Sequence, residues 1–139
     1  MEVTFLQSSA TLLVRLLVGI LFLFQGYDKI FRIGINNVAD AANTPFIEKF
    51  FGRFVFRTSI QISSWLELLA GAILVAGFHR DEALILLSAN MLVAGLVFTL
   101  IKPMWDMQYF FPRLILLVFL MIIPGSWDTF RIDSLFGGN

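Results

Sequence analysis

The chain has 139 residues, 58% of them apolar, with 16 Phe, a mean hydropathy of +0.85 and a formal net charge of zero. That is too apolar for a water-soluble domain of this size, and no basic tail or basic–aromatic face invites nucleic acid. Cys is absent and His79 is the single histidine, which excludes disulfides, iron–sulfur ligation and thiolate nucleophiles, and leaves one copy unable to build a bis-histidine haem or a His-rich metal site.

Crossing the hydrocarbon core takes about 20 helical residues, and with no water there to satisfy the backbone, helix is the state these runs must adopt. The first predicted helix runs from about Ser9 to Phe31, "SATLLVRLLVGILFLFQGYDKIF". Glu2 stands where a basic n-region would be, Arg15 interrupts the apolar run and no A-x-A site follows, so it reads as a retained transmembrane helix rather than a signal peptide.

Between residues 32 and 57 the pattern changes. In "PFIEKFFGRFVFR", Lys49, Arg53 and Arg57 recur every four residues, with Ile47, Phe50, Phe51, Phe54 and Val55 on the opposite arc. This predicts an amphipathic interfacial helix over about 43–57, lying in the headgroup layer. A helix packed over the bundle end is the other arrangement the pattern allows. Lys49, Phe50, Arg53, Phe54 and Arg57 form the candidate interfacial or partner surface.

The second helix is predicted over about 58–78, the third over about 83–101, and the fourth over about 107–127, with Pro112 in its first turn and Pro124 near its exit. "FHRDEA" is a tight turn, with His79 solvated and Asp81 placed to cap the third helix. The fold class is all-α: one domain over 1–139, an integral membrane four-transmembrane-helix bundle with an interfacial helix between helices 1 and 2. Lys29, Arg32, Lys49, Arg53, Arg57 and Lys102 flank one side, and Arg80 and Arg131 the other. The positive-inside rule then puts the 32–57 loop in the cytoplasm and both termini outside, in a bacterial cytoplasmic (inner) membrane.

Charged and polar groups at bilayer depth usually face the bundle interior and pair. Here they are Arg15, Gln25, Glu67, Asn90 and Arg113. Counted from the helix ends, Glu67, Arg113 and Gln25 fall within about one turn of a common level. The expected polar centre is therefore Glu67 on Arg113 with Gln25 as a further donor. Arg15 and Asn90, toward the other side, form a second polar pair. Two roles stay open at this point: a lock for helix packing, or a proton or ligand site with Glu67 titrating and Arg113 holding an anionic or carbonyl oxygen. Gly19 and Gly26 share a helix face and suit close helix contact. Trp65, the deepest tryptophan, suits packing or stacking on a flat ligand. Helices 1 and 4 echo each other ("RLLVGILFLFQGYDKIFRI", "RLILLVFLMIIPGSWDTFRI"), as an inverted repeat or chance similarity of apolar helices would.

"RLLVGILFLFQGYDKIF", "WLELLAGAILVAGF" and "PRLILLVFLMIIPGSWDTFRIDSL", in this order, resemble the first, second and last helices of DoxX-type membrane proteins. The resemblance implies a four-helix membrane bundle associated with quinone-linked redox chemistry, and Arg15, Lys29, Glu67, Arg113 and Asp128 match its polar positions. The expected function is an accessory subunit of a larger, quinone-associated membrane complex; the alternative is a non-enzymatic assembly, chaperone or scaffold subunit. No reaction of its own is read from the chain. If it belongs to an enzyme, that enzyme is a quinone-linked oxidoreductase. No metal and no cofactor held by the chain alone is expected, with quinone or lipid as the candidate ligands. The expected partners are the lipid bilayer and other membrane subunits, with a homo-oligomer as a further arrangement and no nucleic acid.

Overall fold

The computed structural model describes residues 4–101 and 108–133, and they fold into six α-helices. Helix α1 (Phe5–Tyr27) opens with a capping box in which Thr4 and Gln7 satisfy each other's backbone N–H. It continues through a π-helical turn, Asp28–Arg32, so that residues 5–32 form one apolar rod. Two short helices follow, α2 (Ile35–Ala42) and α3 (Pro45–Phe51), the latter capped by Thr44 with Pro45 at its first position. Helices α4 (Arg53–Ala76) and α5 (Arg80–Ile101) make an antiparallel hairpin, and α6 (Phe110–Ile122) packs on α5 and α1.

Among the described residues, three helical segments are long and apolar enough to cross a membrane: Phe5–Arg32, Arg53–Ala76 and Arg80–Ile101. The predicted fourth span is shorter than expected. It is helical over 13 residues, Phe110–Ile122, about 20 Å of rise against a core of about 30 Å. Pro124 accounts for the early stop, because the residue before a proline is pushed out of the helical region, and Ile123 sits at φ −65°, ψ 123°. Residues 102–107, where the fourth helix was expected to begin, lie outside the described residues.

The expected interfacial helix over 43–57 is not a single helix. Gly52, at φ +71°, ends α3, and α4 starts at the next residue. Lys49 therefore belongs to α3 and Arg53 and Arg57 to α4, so the cationic stripe is split between two axes. The preceding loop also contains α2. Both short helices bury a residue, Ala39 from α2 and Ile47 from α3, and both pack against α4. Helix α5 begins three residues earlier than expected, which puts Asp81 inside its first turn rather than at the cap. The turn itself holds His79 at φ 43°, its backbone N–H donated to the Asp133 carboxylate at 2.9 Å.

The core draws Val18 and Phe22 from α1, Ala70 and Leu74 from α4, Leu84, Leu87 and Met91 from α5, and Leu117 and Leu120 from α6. The outer faces are rich in large apolar residues: Leu13 and Leu17, Leu92 and Leu96, and Ile115 and Ile122 are exposed. Such a surface is a lipid-facing one, and the chain is an integral membrane protein in contact with lipid. Helices α1 and α4 are the most extensively packed pair. Their backbones meet at Gly26 and Gly71, where an added Cβ would lie 2.5 Å from the backbone N of Leu68 and of Leu23 respectively. Close approach through small residues is how helices pack where lipid removes the hydrophobic drive to associate.

Candidate functional site

The α1–α4 contact brings a lysine, not an arginine, to Glu67. Gln25 and Lys29 are four residues apart, on one face of the continuous α1–π segment. With Gly26 letting that face close on α4, Lys29 Nζ donates to Glu67 Oε2 at 2.7 Å and to Oε1 at 2.9 Å. Gln25 Nε2 donates to Oε1 at 3.3 Å. Asn90 Nδ2, from α5, donates to the same oxygen at 3.2 Å. Glu67 is 1% exposed, whereas the Lys29 side chain keeps 24% of its surface open.

Two expected pairings are corrected. Arg113 does not reach Glu67: it sits in the first turn of α6, half-buried, and α6 packs on α5 and α1 rather than on α4. Asn90 does not pair with Arg15 but joins Glu67. The hairpin explains why, since Glu67 is nine residues before the end of α4 and Asn90 ten after the start of α5. At 1.5 Å per residue both lie about 14–15 Å from the turn and so are level. Of the residues expected in the centre, the structure thus keeps Glu67 and Gln25 together. Trp65 packs edge-on against Phe31, ring centroids 6.2 Å apart.

Arg15 belongs to a second buried cluster, at the turn end of the bundle. Its guanidinium lies 3.1 Å from Asp128 and donates to the carbonyls of Leu74 and Val75, both at 2.8 Å, and to that of Phe130 at 2.6 Å. Leu74 and Val75 lie in the last turn of α4, so Arg15 adds donors to its terminal carbonyls, Leu74 already accepting from the capping Gly77 N–H at 3.1 Å, and puts a positive charge at the negative end of the helix dipole. Arg80 does the same for α6, donating to the carbonyls of Leu120 and Ile123, and its Nε lies 3.6 Å from Asp128. One buried aspartate thus ties together two buried arginines, each clamping a helix C-terminus.

Arg80 was read from sequence as a loop cation. Nothing in its spacing marks it, because its burial depends on where α6 ends. Lys29 did carry a signal, its i, i+4 relation to Gln25, and Asp128 came into view only through the family resemblance. The interfacial surface residues are divided: Phe50 and Phe54 are strongly exposed, Lys49 lies over the Phe50 ring at 5.9 Å, and Arg53 pairs with Asp40 of α2 at 2.6 Å.

The DoxX family model matches residues 10–100. The chain belongs to the DoxX family. Comparisons with curated proteins and with solved structures returned no match. The matched stretch of this DoxX protein carries α1 through α5, and with them every member of the Glu67 centre, while Arg113 and Asp128 lie beyond it.

The Glu67 centre is asymmetric, and the asymmetry gives a prediction. Lys29→Met leaves a fully buried carboxylate with only amide donors and is expected to destabilise the bundle by about 3 kcal/mol. Glu67→Gln leaves Lys29 free to withdraw its head toward the open side, and is expected to cost about 1 kcal/mol. Unfolding midpoints in a mild detergent rank the two; a costlier Glu67→Gln would contradict the asymmetry.

Proposed function

We propose that this DoxX protein is a four-span accessory subunit of a larger membrane complex, with the Glu67 centre as the point where the complex or its ligand engages it. The observation that carries the reading is the Lys29–Glu67 pair, buried at the carboxylate and open at the lysine. Among the described residues each donor in the centre has an N–H to spare: Lys29 uses two of three, and Gln25 and Asn90 use one of two. Gln25 Oε1 is buried with no hydrogen-bond partner among the described residues. Spare donors beside a buried carboxylate suit a ligand carrying carbonyl oxygens, and a quinone is the ligand of that class a redox complex would bring. The second cluster holds the helix ends, which leaves the first available for function. In this reading the 32–57 segment faces the cytoplasm and the termini face outside, in a bacterial inner membrane, following the basic residues. Other membrane subunits cover part of the apolar flanks, or further copies of the chain do.

An assembly or scaffold subunit is the second reading. It is favoured by the satisfaction of Glu67 itself, whose two oxygens already take four hydrogen bonds, as a purely structural pin requires. Gentle affinity purification of the tagged chain from its native membrane separates the readings. Stoichiometric flavin-, haem- or quinone-linked subunits, with quinone turnover of the complex reduced at least about tenfold by Glu67→Gln at unchanged assembly, is the expected result. Secretion, transport or envelope proteins in their place, or unchanged turnover, selects the scaffold.

A further inference from the structure

Away from the Glu67 centre, α2 and the first turns of α4 form an open surface pocket of about 310 Å³ lined by Asn36, Ala39, Asp40, Arg53 and Arg57. Its charge does not cancel. Two arginines face one aspartate, and the aspartate is taken by Arg53 at 2.6 Å. Arg57 is exposed and makes no hydrogen bond or ion pair with the described residues. The net formal charge of the lining is therefore +1, from Arg53, Arg57 and Asp40.

Depth is what turns this pocket into a membrane site. Along α4, Arg57 lies ten residues from Glu67, about 15 Å, and Arg53 fourteen, about 21 Å. Ala76 lies nine residues the other way, about 14 Å. The stretch from Arg57 to Ala76 is then about 29 Å, which matches a hydrocarbon core of about 30 Å centred near Glu67. Arg57 falls at the edge of that core and Arg53 in the headgroup layer. Around them Phe50, Phe54 and Val55 are exposed, as apolar groups entering the acyl boundary would be.

We infer that this pocket binds the phosphodiester headgroup of an anionic phospholipid, with Arg57 as its bidentate ligand and Asn36 as a neutral donor. A phosphodiester carries one negative charge and neutralises the lining, and the planar guanidinium matches two phosphate oxygens. Arg53, held by Asp40, sets the rim. The inference rests on membrane embedding and not on the accessory role, so either can fail without the other.

The test uses the full chain in nonionic detergent with phosphatidylglycerol and phosphatidylcholine of matched acyl chains, read by native mass spectrometry. The wild type is expected to retain phosphatidylglycerol with a preference of about tenfold or more, the scale of one charge-assisted contact. Arg57→Gln is expected to bring the preference to near one while leaving the lipid-free unfolding midpoint unchanged. Lys49→Gln, a cation on α3 outside the pocket, is expected to leave the preference in place, and Arg57→Lys to keep part of it. An unchanged preference in Arg57→Gln overturns the assignment. Equal loss in Lys49→Gln also overturns it, since a diffuse cationic surface would then suffice. Displacement of the lipid by millimolar inorganic phosphate would make the occupant a free anion and overturn the lipid assignment.

Discussion

Arg15→Met is expected to destabilise the protein by about 3–5 kcal/mol, because it takes the hydrogen-bonding cation from a buried carboxylate and a charged donor from three carbonyls at once. Arg15 and Asp128 are each 1% exposed, so neither stranded partner can turn to water. The partner substitution gives the contrast. Asp128→Asn keeps the shape, leaves Arg15 its three carbonyl acceptors, and leaves Arg80 the carbonyls of Leu120 and Ile123. It is expected to cost about 2 kcal/mol less than Arg15→Met. Arg15→Lys is expected to fall between them, since one ammonium cannot serve acceptors on both α4 and the segment after α6. Detergent unfolding curves of the three variants give the order. Asp128→Asn as damaging as Arg15→Met would mean that the ion pair, and not the clamp on the α4 terminus, carries the cluster.

The second large effect is expected at a glycine. In Gly26→Ala the new methyl would stand 2.5 Å from the backbone N of Leu68 and 2.6 Å from the carbonyl O of Ser64. Backbone inside a helix cannot rotate aside, so α1 and α4 must separate, at a cost of about 3 kcal/mol. The same substitution at Gly95 first meets the ring of Phe110, a side chain rather than backbone, and is expected to cost about 1 kcal/mol. Separation of α1 from α4 also stretches the Lys29–Glu67 contact, because Gly26 and Lys29 lie one turn apart. Gly26→Ala and Lys29→Met should therefore cost less together than the sum of the two singly, by at least about 0.5 kcal/mol. Strict additivity would show that the glycine contact and the polar centre are independent.

The all-helical, membrane-embedded character of the chain follows from its sequence alone, since hydropathy and the need to satisfy every backbone group in lipid are local demands. The family is legible the same way, in "RLLVGILFLFQGYDKIF" and "WLELLAGAILVAGF", and so is Glu67 as a buried acid, since a carboxylate inside an apolar run has nowhere else to be. Which cation it meets was not legible. Counting depth from helix ends put Arg113, Gln25 and Glu67 at one level, but depth is one coordinate of three, and the other two are set by which helices touch. Gly26 and Gly71 draw α1 onto α4, so Lys29 arrives, while α6 settles on α5 and α1 and carries Arg113 away. Helix ends were local in where they stop, at Gly77 and before Pro124, and tertiary in what closes them. The end of α4 is closed by Arg15 from α1 and the end of α6 by Arg80 from α5, side chains 59 and 40 residues distant along the chain. Burial of the apolar runs and of Glu67 within one was thus decided by sequence, through the cost of leaving water, whereas burial of Arg80 was decided by where α6 ends. Partnership was decided by the fold, because only the packed helices determine which of the charges carried into the bundle meet one another.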